Sequence, residues 1–241
     1  MKIVDAFWEK RNLGVRSTEI TIEIDDTIQD LESLLSNLKN PEYVVFKIPS
    51  GGVEFLRMLT KNGFYINETL SEMCLDVENY IVPKNLARYD NKINYKMIPD
   101  KDLEQLGIEL MKGIFNTDRI ALDPLFGIDI AAKRYFNWIK DEVNKGNHIY
   151  EILYNENPIG FFCFKQVGEN AYDNFLAGMY ASRSNFGLGF STITKSIEEL
   201  KNRNGRYLIT HVSSNNMSVI RLYAQIGFML NNMCYIMTKH Y

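Results

Sequence analysis

The sequence lacks most of the features that mark a specialised class of protein. Its three cysteines, Cys74, Cys163 and Cys234, are odd in number and without metal-ligand spacing, which leaves no disulfide framework and fits a reducing cytoplasm. No apolar run approaches the length of a membrane span, and the opening MKIVDAFWEKRN has no apolar core of the signal-peptide kind. Neither sign of charge is in excess: 27 Lys and Arg stand against 30 Asp and Glu, a net charge of −3 with a pI near 5.7, and the charges are interspersed. Such a chain has no basic field with which to grip nucleic acid. Neither a metal-ligand cluster nor a Ser/His/Asp order is legible.

What is there is an ordinary globular composition. With 241 residues, 46% hydrophobic and 24% charged, the chain can bury a core as one large domain or two small ones. Along it, EITIEI (Glu19 to Ile24) alternates as a strand does, Ile28 to Leu38 has helical spacing, and YVVFKIP (Tyr43 to Pro49) reads as a strand. A helix from about Val53 to Lys61, the stop Asn62-Gly63-Phe64 and a strand around Ser71 to Val77 complete a first half, residues 1–78. Residues 79–95, polar and containing Pro83, repeat no period and read as a linker. The second half, residues 96–241, opens with helices around Asp100 to Phe115 and Ala131 to Val143. After them come a hairpin turning at Asn155 to Pro158, the strand NFLAGMYAS (Asn174 to Ser182) and a helix to about Arg203. Strand YLITHV, a helix from about Asn216 to Gln225 and strand CYIMTKHY end the chain.

Laid without gaps under Tyr207 to Leu230, the segment Tyr43 to Ile66 matches it at Tyr43 and Tyr207, Ser50 and Ser214, Arg57 and Arg221, Gly63 and Gly227, and Phe64 and Phe228. Both read as strand, turn, helix, Gly-Phe, strand. Where the second copy has Asn216 and Tyr223, the first has Gly52 and Leu59, so the first keeps the scaffold and lacks the polar groups that chemistry would use.

SNFGLGF (Ser184 to Phe190) stands between a strand and a helix. Gly187 and Gly189 let the chain bend tightly and bring bare N–H groups against a ligand, and the N-terminus of the next helix favours an anion. From the two glycines alone a plain turn is the commoner reading. Joined to the strand before it, the helix after it and the pattern Asn216-x-x-Val219-x-x-x-Tyr223-x-x-x-Gly227-Phe228, the turn resembles that of the GNAT superfamily of N-acetyltransferases. The resemblance implies an α/β (α+β) fold of two GNAT-like modules, the N-terminal one degenerate, with a central mixed sheet flanked by helices and acetyl-CoA as co-substrate. It implies Phe186, Gly187, Leu188, Gly189, Phe190 and Ser191 around the pyrophosphate and Met179, Tyr180 and Ala181 along the pantetheine arm. Asn216 would serve the cofactor arm, and Tyr223 would be the proton donor. The superfamily's usual Arg or Gln three residues before the middle glycine is Ser184 here, with Arg183 one place upstream.

FWEKRNLGV (Phe7 to Val15), the degenerate first copy, IFNTDRIALDPLF (Ile114 to Phe126) and KRYFNWI (Lys133 to Ile139) are similar, in order and spacing, to nucleotide-amino-sugar N-acetyltransferases of the TDP-fucosamine type. That likeness implies a small-molecule acceptor, a nucleotide-linked amino sugar, with Arg119, Asp123 and Tyr135 on the acceptor side. Arg119 could hold a phosphate and Asp123 an amine or hydroxyl, although a salt-bridged loop accounts for both equally well. Phe115, Phe126, Tyr135 and Trp138 could wall the pocket, or pack a helix. A peptide amine or another small amine, or CoA binding without turnover, are the alternatives; a homodimer is left open, since oligomeric state is not written in these residues.

The chemistry sets its own requirements. An uncharged amine attacks a thioester carbonyl, negative charge gathers on oxygen, and sulfur departs. Backbone N–H groups freed by a bulge on the strand Leu176 to Ala181 could steady the oxygen. A tyrosine hydroxyl, with a reference pKa of about 10 against about 8.5 for a thiol, could protonate the sulfur. Tyr223 fits that role, or else is a core aromatic beside Ile220 and Ile226. His211 could accept a proton from the attacking ammonium, though a lone strand histidine is more often structural. His148 and His240 read as surface residues.

Overall fold

The computed structural model describes residues 1–90, 92–182 and 187–241. Two compact units emerge, and neither is one continuous stretch of chain: Met1–Ser71, Ser213–Asn215 and Asn232–Tyr241 form the first, Glu72–Val212 and Asn216–Asn231 the second.

In the first unit, β1 (Lys2–Asp5) leads through α1 (Phe7–Leu13) to β2 (Ser17–Thr21), its antiparallel partner. Helix α2 (Ile28–Asn37) starts where Thr27 and Asp30 satisfy each other's backbone N–H groups in a capping box. It returns the chain to β3 (Tyr43–Pro49), which lies parallel to β2, and α3 (Val53–Lys61) follows. The other edge of β3 is closed by the end of the chain. Strand β10 (Met229–His240) pairs with it antiparallel, from Cys234 opposite Pro49 to His240 opposite Tyr43. Met237 of β10 is thereby buried with Ile20, Leu31, Phe46, Leu59 and Phe64.

Strand β4 (Tyr65–Asp76) contributes its residues from Glu72 onward to the second unit. The rest of that unit is α4 (Lys84–Asp90), β5 (Ile93–Met97), α5 (Leu103–Leu110), α6 (Gly127–Asn144), β6 (His148–Tyr154), β7 (Asn157–Gln166), β8 (Ala171–Met179), α7 (Ser191–Asn202), β9 (Tyr207–Ser213) and α8 (Met217–Ile226). Its strands lie in the order β4-β9-β8-β7-β6-β5, antiparallel from β5 to β8, with β8 and β9 parallel. Ile193, Ile197 and Leu200 of α7 and Tyr223 and Ile226 of α8 cover one face, over Phe162, Phe164, Tyr172 and Leu208. Leu106, Leu110 and Ile139 of α5 and α6 cover the other, over Phe161, Cys163 and Phe175. This is a mixed α/β fold with a central sheet flanked by helices.

The segment 79–95, expected as a linker, holds a helix and a strand instead. Its polar sequence hides β5 because only Ile93 is buried there; the strand is fixed by pairing along β6, Ile93 opposite Tyr154 to Met97 opposite Tyr150. The cuts at 78 and 96 also differ from the boundaries of the compact units. Proximity in the chain suggested them, whereas the long strands β4 and β10 each end in the other unit.

The two copies seen in the sequence fold into the same order of strand, helix and strand. β3 and β9 are each 7 residues and β4 and β10 each 12, all at one constant offset. Gly63 and Gly227 both take the left-handed conformation, with φ of 81° and 102°, that ends the helix and turns a buried Phe64 or Phe228 into the core. Gly52 and Asn216 occupy the same cap position with similar backbone angles. A Cβ on Gly52 would lie 2.7 Å from Cγ2 of Ile48, so packing alone opposes an asparagine there. If β10 completes the first unit, Met237→Ala should cost about 2–5 kcal/mol in denaturant unfolding. Hydrogen exchange should quicken first at Val44–Ile48 of β3; quickening confined to β8 and β9 would refute the exchanged strand.

Candidate active site

Strand β8 sets the geometry. Its register against β7 shifts between Cys163 opposite Leu176 and Phe164 opposite Asn174, so Phe175 is an extra residue, a bulge that bends and twists the strand. On its other side β8 pairs with β9 through Ala171–Tyr207, Tyr172–Leu208 and Asp173–Ile209, and there the pairing stops. The bulge expected on Leu176 to Ala181 thus lies just before it, where the two strands part.

Tyr223 stands at that parting. Its hydroxyl is 3.1 Å from Oγ1 of Thr210, which donates to the carbonyl oxygen of Asn174 at 3.1 Å. With its hydrogen spent on Asn174, Thr210 offers a lone pair to the phenol. Burial pushes the phenol up to about 12, opposed by the bond to Thr210 and reinforced by the charge of Asp173.

Ahead of α7, Gly187 is left-handed with φ of 69°, and a Cβ on Gly187 or Gly189 would meet nothing within 4 Å. Packing therefore does not explain these glycines. The first turn of α7 folds back on the loop: Ser191 N–H donates to the Leu188 carbonyl at 2.9 Å and Thr192 N–H to that of Gly189 at 3.3 Å. The N–H groups of Leu188, Gly189 and Phe190 meet no acceptor among the described residues. A row of open donors before a 12-residue helix suits a pyrophosphate. The side chains of Leu188 and Phe190 are in the core and the Ser191 hydroxyl donates to the Leu188 carbonyl at 2.7 Å, so backbone alone can serve an anion here. Phe186, with Arg183 and Ser184, lies outside the described residues.

The other expected cofactor residues are placed as follows. Met179 ends β8 and packs toward α7 and α8, Ala181 is exposed, and Tyr180 is buried on the α6 face. The Tyr180 N–H is taken by the Ile159 carbonyl at 2.9 Å and its hydroxyl donates to Oε1 of Glu151 at 3.2 Å, so neither is free for a ligand. Asn216 is the N-cap of α8: its Oδ1 accepts from the Val219 N–H at 3.3 Å and the Ser218 hydroxyl at 3.0 Å.

On the expected acceptor side, Asp123 is buried and its Oδ1 accepts the Leu125 N–H at 2.9 Å, closing its own loop; Arg119 is half-buried. Tyr135 lies in a row of rings, 4.7 Å from Phe115 and 6.4 Å from Trp138, with Trp138 5.1 Å from Phe175. His211 faces Glu72 on β4 and Asp173 on β8, and Lys165 of β7 continues the line; among these the sequence singled out only His211. Asp173 was missed because the expected strand began at Asn174, although a carboxylate inside an apolar strand was the available signal. His148 and His240 are half-buried, each beside a tyrosine ring, rather than on the surface. Among the described residues no group of three His, Cys, Asp or Glu could hold a metal, and no helix is long and apolar enough to cross a membrane.

Residues 116–228 match the acetyltransferase (GNAT) family. No curated protein matches the chain. A GCN5-related N-acetyltransferase from Sphaerobacter thermophilus has a similar structure, with a TM-score of 0.68 and 11% identity over 99% of this chain and 75% of that one. A tandem GNAT protein from the clavulanic acid biosynthesis pathway gives a TM-score of 0.57 at 12% identity, over 94% and 76%. The glucosamine N-acetyltransferase region of a fungal multi-domain GH3 β-N-acetylglucosaminidase gives 0.65 at 10%, over 99% of this chain and 31% of that one. Residues 116–228 thus match the GNAT acetyltransferases, and the chain shares the mixed α/β fold of solved GNAT structures.

Proposed function

We propose that the protein transfers the acetyl group of acetyl-CoA to the amine of a nucleotide-linked amino sugar, of the dTDP-4-amino-4,6-dideoxyhexose kind, by direct attack on the thioester. The observation that carries the donor half is the run of N–H groups at Leu188, Gly189 and Phe190 before α7 that meet no acceptor among the described residues. The acceptor half is supported by the rings of Phe115, Tyr135 and Trp138, flat apolar faces of the kind that stack on a sugar or base, and by the cationic Arg119 in the loop after Phe115. An amino-sugar acetyltransferase region built on the same fold, in the fungal protein, agrees with it.

The parted strands support a place for the reaction. A thioester lying where β9 leaves β8 would have the Tyr223 hydroxyl beside it, and backbone N–H groups on the opened edge of β8 would face its carbonyl oxygen. Because the phenol is held up to about 12, Tyr223 keeps its proton at neutral pH. Against a thiol of about 8.5, complete transfer from this phenol runs uphill even to the fully formed thiolate, and least so once sulfur carries the negative charge. Its help is therefore mainly a hydrogen bond swung from Thr210 to the departing sulfur, with the proton following.

Three measurements test this reading. Gly189→Glu places a carboxylate among the open donors at a site where a Cβ meets nothing, so a folded variant should lose acetyl-CoA binding in calorimetry; unchanged affinity would refute the phosphate cradle. Tyr223→Phe should leave that affinity intact and lower kcat about a hundredfold, the low end for general-acid help, whereas a wild-type kcat with chemistry limiting would remove Tyr223 from the mechanism. Thiol release should be fastest with dTDP-4-amino-4,6-dideoxy sugars in a panel that includes glucosamine and a peptide N-terminus. A faster peptide would replace the acceptor and keep the donor.

A further inference from the structure

On the face of the sheet opposite Tyr223, four charged or titratable side chains line up across four neighbouring strands of the second unit. Oε2 of Glu72 (β4) is 3.4 Å from Nε2 of His211 (β9), Nδ1 of His211 is 3.9 Å from Oδ1 of Asp173 (β8), and Oδ2 of Asp173 is 3.6 Å from Nζ of Lys165 (β7). Asn231 donates its amide to the other oxygen of Glu72. Lys165 is held over the rings of Trp138 and Phe175, 5.8 Å and 5.0 Å from their centres, so the row continues the aromatic wall.

Two features set this row apart from a solvated stripe of charge. Asp173 is 7% exposed, and its Oδ1, turned toward His211, is buried without a hydrogen-bond partner among the described residues. A buried carboxylate oxygen left unpaired is costly unless something completes it. The row also lies at the parting of the strands: Asp173 is in the last pair joining β8 to β9, and His211 follows Thr210, the residue that holds Tyr223. Successive strand residues point to opposite faces, so Tyr223 and His211 flank one opening from its two sides.

We propose that His211, held between Glu72 and Asp173, receives the acceptor's ammonium and takes its proton, with the two carboxylates as positioning residues. Strand β4 belongs to the first sequence copy, so that copy, lacking the Asn and Tyr of the second, supplies Glu72 to the acceptor side. This rests on the acetyl-transfer reading above. The acceptor arrives as R–NH3⁺ and passes one proton to a ring nitrogen of His211. The freed lone pair forms the N–C bond to the thioester carbonyl carbon as the C–S bond breaks, and its electron pair goes to sulfur. A second proton leaves nitrogen and one reaches sulfur at the Tyr223 side, giving amide and thiol, while the proton on His211 departs to solvent over the exposed edge of its ring. The acceptor class is thus a cationic primary amine that enters along the Phe115–Tyr135–Trp138 wall. Burial holds the Asp173 carboxyl above its ordinary range, countered by His211 and Lys165, as suits an oxygen awaiting a cation.

The test uses the full chain with acetyl-CoA, and with dTDP-4-amino-4,6-dideoxyglucose and glucosamine as acceptors. His211→Gln should bind acetyl-CoA as the wild type does, lose roughly a hundredfold in kcat/KM, and lose the acidic limb of the kcat/KM against pH profile. Glu72→Gln, at a half-exposed position that tolerates the change, should displace that limb and cost roughly tenfold in kcat/KM. Asp173→Asn should do the same, mainly through the KM of the acceptor. Variants with normal acetyl-CoA affinity and an unaltered rate and pH profile would overturn the proposal while leaving the acetyltransferase intact. A wild type that binds no acetyl-CoA or turns over neither acceptor would overturn the underlying reading and this proposal with it.

Discussion

Three residue pairs, from Ala171–Tyr207 to Asp173–Ile209, join β8 to β9, and the site depends on the pairing ending there. The bulge at Phe175 is the physical cause. An extra residue in β8 sends Phe175 and Leu176 both to the α6 face and turns the strand away from β9. Backbone groups along an opened strand edge need partners, which water or a ligand must provide. The closed end of the opening is fixed by a short polar chain, Tyr223 to Thr210 to the Asn174 carbonyl, that is itself fully buried. The same burial that fixes the chain makes Tyr223 a weaker acid, so in the proposed reaction position rather than acidity is what this residue would bring to a departing thiolate.

The duplicated unit solves two different problems with one scaffold. In both copies a left-handed glycine ends the helix and a buried phenylalanine anchors the 12-residue strand that follows. In the first copy the cap is Gly52, too close to Ile48 for a side chain, and Leu59 fills the core position that Tyr223 holds in the second. The first copy therefore gains packing and gives up a hydroxyl. Its long strand still reaches the proposed site, because β4 lies beside β9 in the second unit and sets Glu72 against His211.

Helix α7 and the turn before it divide their backbone groups, carbonyls serving the fold and N–H groups serving the proposed cofactor site. Carbonyls at Leu188, Gly189 and Phe190 accept from the first turn of the helix, which pins the loop, while the N–H groups of the same residues meet no acceptor among the described residues. Buried side chains at Leu188 and Phe190 hold the loop to the core, and the two glycines keep its outer surface bare. A turn built this way would need no basic residue to hold an anion, which accords with a chain that has no basic field.

By itself the sequence determined what depends on neighbours a few residues apart. The repeated strand–helix–strand unit, its Gly-Phe stops, the hairpin at Asn155 to Pro158 and the glycine turn before a helix were legible because periodicity, turn chemistry and caps act locally. Only the tertiary structure decided the rest. Strand β5 is invisible in a polar segment because its order comes from β6. The position of the bulge depends on a register with β7, and Asn216 and Asp123, polar residues in suggestive places, turned out to cap a helix and to close a loop. The exchange of β4 and β10 and the row from Glu72 to Lys165 bring together residues far apart in the chain. No local rule encodes them, since pairings at such separations are chosen by the burial and hydrogen bonding of the whole sheet.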